Sequence, residues 1–303
     1  MVGSDVKNPG DRELIALDPR FSTRWAQHDY PAPVARWHHH PEYEIHLIRH
    51  GTGRYIVGDA VGTFGSGHLA LVGPDVPHNW VGDVEPGERL VNRDVVLQFH
   101  DAWVRGCQTL IPELAELDTM LANSIRGIEF GGDTAVRGAA ALERIGHSSG
   151  SGRAAETFSL LHILASAPEH ERRYLATPWM PTLSGYESLK VVNDSLEYIL
   201  ENITGQVRLS VAARISGMSD SSFSRYFKNA SGQTFSAMVR RLRIARACKL
   251  LESTDEPVSR VAHEVGYDNL SNFNRQFLVD QGRTPSEHRA LSKVQVMGSY
   301  SYG

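Results

Sequence analysis

The chain has 303 residues, 41% of them hydrophobic, and its 31 Lys+Arg against 35 Asp+Glu give a net charge of −4. That length predicts two domains with cores of ordinary size. No run approaches the ~20 apolar residues of a membrane helix, so no membrane partner is expected. The two cysteines, Cys107 and Cys248, lie too far apart in sequence for a CxxC pair. They exclude a thiolate metal motif and a disulfide framework, and with no apolar h-region in the first ten residues they fit a cytoplasmic protein.

Residues 1–100 are expected to form a β-domain. Short apolar or alternating runs at 44–48, 54–57, 68–72 and 94–99 read as strands, and glycines from Gly51 to Gly73 punctuate them. Many short strands with Gly-rich turns indicate a sandwich or small barrel, whose mouth can hold a small ligand. His38 and His40 share parity and so one strand face, and Glu44 keeps even spacing from both. His78 follows a turn segment. Two imidazoles, a carboxylate and a third imidazole converging in a barrel suit a divalent transition metal.

This spacing resembles the cupin family. His38, His40, Glu44 and Gly51 match its first motif in full. Gly67 and His78 match the second, whereas Gly73 stands where Pro is expected and Asp75 where Gly is expected. The resemblance implies a cupin-like barrel with His38, His40, Glu44 and His78 as effector-binding residues and as candidate ligands for a divalent metal. Direct ligand contact without metal, and a structural role inside the barrel, stay open beside it. No cofactor is required, and a ligand set does not imply turnover. His39 and His50 have the wrong parity, and His46 has the right parity but no place in the motif. These three read as surface or strand residues.

Residues 101–167 read as helical, with one stripe at Leu110, Leu114, Leu117 and Leu121 and part of another at Leu160, Leu161 and Leu164. Such stripes pack on a barrel or form the seam of a homodimer. Between them, residues 146–152 read as a flexible Gly/Ser loop. Residues 168–185, rich in Pro and polar side chains, read as an interdomain linker. A helix is expected near 186–202, with Leu189, Val192, Leu196 and Ile199 on one stripe.

The last third holds an internal repeat. Residues 209–227 and 258–277 echo one another. Ala213 matches Ala262, and Gly217 matches Gly266. Phe223, Arg225, Phe227 and Gly232 match Phe273, Arg275, Phe277 and Gly282. Each copy reads as a short helix, a Gly able to take the positive φ of a tight turn, and a second helix. Asp220 and Asn269 stand where the second helices are capped. The phenylalanine pairs share one buried face. This is the helix-turn-helix pattern, whose second helix enters the major groove. The reading helices span 220–230 and 270–280. Their polar faces offer Ser221, Ser224, Arg225 and Lys228, then Asn269, Ser271, Asn274 and Arg275. Asn reads adenine edges, Arg reads guanine edges, and Lys and Arg hold phosphates. The intervening helix, 234–251, carries Arg240, Arg241, Arg243, Arg246 and Lys249. That face is either solvated or placed against phosphates.

Residues from Tyr186 to about Leu291 resemble the DNA-binding domain of the AraC/XylS family of bacterial transcription regulators. The signature runs from Gly266 to Phe277 and on through Gly282 to Ser286. Leu270 departs from it, standing where many members carry a polar residue or Pro. Charge agrees: residues 186–303 carry net +3 and residues 1–185 net −7, as phosphate binding by the second half requires.

The expected protein is α+β and multidomain. It has a cupin-like effector-binding barrel (1–100), a helical segment (101–167), a linker (168–185), an all-α double helix-turn-helix domain (186–293) and a flexible tail (294–303). The resemblance implies a transcription regulator, an activator more often than a repressor. Its partners would be double-stranded promoter DNA, a small-molecule effector such as a sugar, RNA polymerase and a second copy of the chain. It is not expected to be an enzyme. Two other readings compete: a metal-dependent cupin enzyme fused to a DNA-binding module, and a helical repeat that serves protein interaction.

Overall fold

The computed structural model describes residues 20–32, 36–85, 87–178 and 186–299. Residues 1–19, the last four residues of the expected tail (300–303) and part of the expected linker (179–185) lie outside the described residues. The chain forms two compact units, one built mainly of residues up to Lys190 and one from Val191 onward. Among the described residues, no helix is long and apolar enough to cross a membrane.

The first unit contains two sheets. Strands β1 (Arg24–Tyr30), β7 (Leu90–His100), β2 (Glu42–Ile48), β5 (Leu69–Val72), β8 (Ile128–Phe130) and β9 (Arg172–Tyr174) form a six-stranded sheet in that order. Strands β4 (Ala60–Phe64), β3 (Gly53–Val57) and β6 (His78–Gly82) form a three-stranded sheet. The registered neighbours are antiparallel, with Glu44 opposite Gln98 and Val72, and His46 opposite Val96 and Ala70.

Every residue of β2 is buried, because the six-stranded sheet is covered on both faces. Tyr43, Ile45 and Leu47 join Leu69, Leu71, Val95, Leu97 and Phe99 in a core shared with the helices. The alternate side chains enter the space between the sheets, where Ile48, Val72, Tyr55, Val57 and Trp80 form a second core. Each such aliphatic side chain contributes roughly 1.5–3 kcal/mol of burial. The same alternation that builds the outer core therefore delivers Glu44 and His46 to the interior.

The helices are α1 (Asp101–Leu110), α2 (Asp118–Asn123), α3 (Gly132–His147) and α4 (Gly150–Ala165), with a 3-10 segment at Pro112–Leu117. Four expectations need correction. The sheet does not stop near residue 100: β8 lies within the supposed helical segment, and β9 lies within the supposed linker. Residues 146–152 are not a loop, since Ser148 and Ser149 alone separate α3 from α4. Gly146 is required there by contact, because a Cβ would fall 2.4 Å from the Trp25 ring. The leucine stripe is broken by the 3-10 segment, which shifts its phase: Leu117 and Leu121 are buried, while Leu110 is 84% exposed. The expected tail starts inside a helix, since α11 (Pro285–Ser299) passes residue 294.

The second unit comprises α5 (Tyr186–Glu201), α6 (Leu209–Ile215), α7 (Asp220–Ser231), α8 (Phe235–Ser253), α9 (Val258–Glu264), α10 (Leu270–Gln281) and α11. The stripe on α5 is buried as expected. Each repeat copy is a helix pair closed by its glycine, Gly217 at φ 65° and Gly266 at φ 86°. The four phenylalanines of the copies are fully buried, and Phe235 packs edge-on to Phe223 and Phe227. Helix α8 is buried on more than one face. Ile244, Ala247, Cys248 and Leu251 pack with Val261, Ala262, Phe273 and Phe277 of the second copy, while Met238, Leu242 and Ala245 are buried elsewhere around its circumference.

The two turn glycines are not equivalent. At Gly217 a Cβ would meet nothing, whereas at Gly266 it would lie 2.8 Å from both Arg243 Nη2 and the Ile203 carbonyl. Gly217→Ala should therefore cost about 1 kcal/mol from its positive φ alone, and Gly266→Ala about 3 kcal/mol or more from φ and overlap together. Urea unfolding followed by helix circular dichroism separates them. Equal losses would contradict the close approach.

Candidate effector pocket and DNA-reading helices

His38, His40, Glu44 and His78 come together, each offering a ligand atom within 4.8 Å of the others. His38 and His40 precede β2 rather than lying in it. A single bridge between His38 and His78 joins the two approaches, with paired backbone bonds of 2.9 and 3.2 Å. The ring arrangement follows from backbone carbonyls. His78 Nδ1 lies 2.8 Å from the Val76 carbonyl and His38 Nδ1 2.6 Å from the Arg36 carbonyl. A carbonyl can only accept, so each Nδ1 carries the proton and each Nε2 presents a lone pair. His78 Nε2 receives no hydrogen bond and faces Glu44 Oε1 at 3.7 Å. A lone pair of His78 Nε2 facing a buried carboxylate fits a cation between them, and metal-binding histidines are usually anchored through their other nitrogen in this way.

The charges agree. Burial alone would raise the Glu44 carboxyl, but hydrogen bonds with His40 and His46 hold it well below its ordinary range. Burial, reinforced by His38 and His40, pushes His78 well below the usual imidazole value. The cluster thus holds an ionised carboxylate beside a neutral imidazole.

The departure from the second cupin motif has a structural reading. Asp75, standing where Gly is expected, adopts φ 57°. Asp is among the few non-Gly types that tolerate this region. Its carboxylate also reaches His39 Nδ1 at 3.2 Å, so His39 is a buried positioning residue rather than a surface one.

A small recess, about 40 Å³ in volume, adjoins His38 and Glu44. His46, expected to be an ordinary strand residue, lines it and stands 3.2 Å from Glu44 and 3.5 Å from Asp94. Burial opposes charge on His46, but these two carboxylates raise its pKa above the ordinary value. Gln98 donates to Glu44 Oε2 at 2.7 Å. Arg93, almost fully buried, donates to Asp94 at 2.5 and 3.0 Å and lies 4.2 Å over the Tyr30 ring. Asn79 Oδ1 and Trp80 Nε1 are buried with no hydrogen-bond partner. Sequence reading passed over these residues. The available signal was parity, since Asp94, Val96 and Gln98 alternate on β7 opposite the even positions of β2.

In the second unit, the reading helices fall within one residue of their expected ends. Ser221, Arg225, Lys228, Asn269, Ser271, Asn274 and Arg275 are exposed, and Ser224 is half-buried. The first cap is Ser219, not Asp220: its hydroxyl accepts from Ser222 N at 3.3 Å. Asn269 caps the second helix, its Oδ1 accepting from Asn272 N at 2.9 Å. That bond occupies the carbonyl oxygen with which Asn269 was expected to read a base. Arg275 leans on Asn272 Oδ1 at 3.0 Å. The basic residues of α8 are all half-buried rather than displayed. Arg243 donates to the Ile203 and Gly205 carbonyls at 2.9 and 2.5 Å, Arg240 meets Asp280 at 3.4 Å, and Arg241 donates to Gln233 at 3.2 Å. Three of the five cations thus bond within the unit, a role that neither a solvated nor a phosphate-facing reading includes.

A two-sheet domain with a polar recess, followed by two matched helix-turn-helix motifs, defines a DNA-binding transcription regulator with its own sensor. A family model described as an AraC-like ligand binding domain matches residues 25–93, and one described as a helix-turn-helix domain matches residues 212–290. The regulatory protein SoxS of Escherichia coli strain K12 is 31% identical over 100 residues, covering 33% of this chain and 94% of that protein. The HTH-type transcriptional activator RhaS of Enterobacter sp. strain 638 is 23% identical over 285 residues, 93% of this chain and 94% of that protein. Among solved structures, the DNA-binding domain of AdpA in complex with a target DNA is 24% identical and covers 34% of this chain and 94% of that one, with a TM-score of 0.33. The chain belongs to the AraC/XylS family of transcription regulators. Its family and relatives are DNA-binding regulators, not enzymes, so the fused-enzyme and interaction-module alternatives fall away.

Arg93 offers a test of the recess. Arg93→Ala leaves Asp94 buried against His46 and should cost the first unit about 3–5 kcal/mol. Tryptophan fluorescence during urea unfolding reads this, since Trp25, Trp37, Trp80 and Trp103 all lie in that unit. A loss below about 1 kcal/mol, the worth of a surface pair, would show that the pair is not buried in solution.

Proposed function

We propose that this regulator binds a neutral, polyhydroxylated effector of the sugar class in the recess between its sheets, and that binding changes its affinity for promoter DNA. The observation that carries the effector class is a buried donor without a hydrogen-bond partner, Trp80 Nε1, on a residue that lines the recess. A hydroxyl group satisfies it, and leaving it unmade is costly. Glu44 and Asp94 disfavour an anionic effector. His38, His40, Glu44 and His78 hold a divalent cation at the edge of this recess, supported by the lone-pair geometry of His38 and His78. Ser221, Ser224, Arg225, Lys228, Ser271, Asn274 and Arg275 face the DNA, with Asn269 acting through its cap. Effector binding shifts the population of DNA-competent arrangements, including the homodimer, in a cytoplasmic activator that contacts RNA polymerase. Activation is supported by the similarity to RhaS, a transcriptional activator.

Metal is tested first. Elemental analysis of untagged protein after dialysis against zinc or manganese should find about one ion per chain, and His78→Ala or Glu44→Gln should remove most of it. Equal metal in the wild type and His78→Ala would overturn the metal site. Glu44→Gln should also change the effector dose response while the helical unit stays folded.

The DNA face is tested by Arg225→Ala with Arg275→Ala. The double variant should lower affinity at least about tenfold and flatten the salt dependence by roughly two charges. An unchanged affinity at moderate salt would reassign the reading faces.

A further inference from the structure

The two reading helices have diverged on their exposed faces. Superimposing the copies through Phe223 on Phe273 pairs Asp220 with Leu270, Ser221 with Ser271, Ser224 with Asn274, Arg225 with Arg275, and Lys228 with Leu278. Arg is kept, but the first residue of the helix changes from acidic to apolar. Leu270 is 41% exposed, directly after the Asn269 cap, on the face that also carries Ser271 and Asn274. It stands on the same helical stripe as Phe273 and Phe277, which are fully buried, but at the helix start, where the stripe comes out to solvent beside Asn274. The exposed part of this leucine gains nothing from the core beneath it and is disfavoured in water.

Position and chemistry together name its use. The N-terminal residues of a reading helix are those that meet base edges. In the major groove, the one apolar feature a base pair presents is the C5-methyl of thymine. We propose that Leu270 is a specificity-determining residue that packs on a thymine methyl in the half-site read by α10. The opposite position in the first copy, Asp220, has no such capacity and suits an N4 amine of cytosine or no base contact. The two halves of the operator are thus read by different chemistry: hydrogen bonds and phosphate contacts from α7, and a methyl contact beside Asn274 and Arg275 from α10. This inference rests on the assignment of α10 as a DNA-facing helix.

The test starts from an operator selected out of random duplexes by the full chain. Each thymine in it is then replaced by uracil, which removes the methyl and nothing else. One such replacement should lower wild-type affinity about fourfold, the worth of one buried methyl-sized group. For Leu270→Ala, which keeps a good helix former at an exposed site, that same replacement should have no effect. Leu270→Gln should shift the selected base at that position away from thymine. An operator with no fixed thymine in either half, a wild type indifferent to uracil at every position, or a Leu270→Ala variant that keeps the uracil sensitivity would each overturn the inference. Failure of α10 to face DNA at all is distinguished by Arg275→Ala, which would then leave affinity unchanged.

Discussion

A buried carboxylate organises the first unit. Glu44 sits in a strand covered on both faces, where an isolated negative charge would be far too costly to keep. Four neighbours from different places in the fold converge on it: His40 from the approach to β2, His46 from β2 itself, Gln98 from β7 and His78 from β6. Each arrival depends on backbone that delivers it. The register of β2 against β7 sets Gln98 opposite Glu44. The bridge between His38 and His78 ties the small sheet to the large one at the same point. A site built this way has little freedom to relax, so a ligand meets groups that are already oriented.

The second unit solves a different problem: two small helix pairs, each too short to bury a core alone, must be held in one register. Helix α8 does this by being apolar around much of its girth, which leaves little room for a separate charged face. Its arginines are therefore folded into the joints. Arg243 spans from α8 to the carbonyls after α5, crosses near the Tyr267 ring and fills the space over Gly266. The repeat's glycines thus serve unequal ends, one satisfying a turn and the other both a turn and a crossing.

What could be read without coordinates follows the same physics. The double helix-turn-helix was legible almost to the residue, because local signals agree there: matched glycines at positive φ, phenylalanines at i and i+4, and polar helix starts. The four-residue cluster was legible from its motif spacing, although His38 and His40 precede β2 and do not share a strand face. The rest was not, for nameable reasons. Strand β8 is three residues long and β9 lies in a segment whose Pro and charge content reads as linker. Both exist only because the large sheet has an edge for them to join. Gly146 and Gly152 look like loop residues, yet one is small to admit Trp25. Ser219 was missed because Asp220, its neighbour, is an equally good cap type, and only the hydroxyl's aim decides between them. The basic face of α8 could not be resolved from sequence, since a solvated, a phosphate-bound and an internally bonded arginine have the same spacing.

That last outcome changes how DNA affinity should be apportioned. Five cations that looked available for phosphates are half-buried, and three of them already donate within the protein. On the reading helices, the exposed cations are Arg225, Lys228 and Arg275, the last partly held by Asn272. Each phosphate neutralised contributes about 0.9 to the slope of log affinity against log salt, so these helices supply a slope of only about three. A protein with so few charges on its reading faces cannot hold DNA tightly by electrostatics from those faces alone. Contacts that tell one base from another must then carry a larger share of its binding, and loss of a single such contact weighs more here than it would on a strongly basic surface.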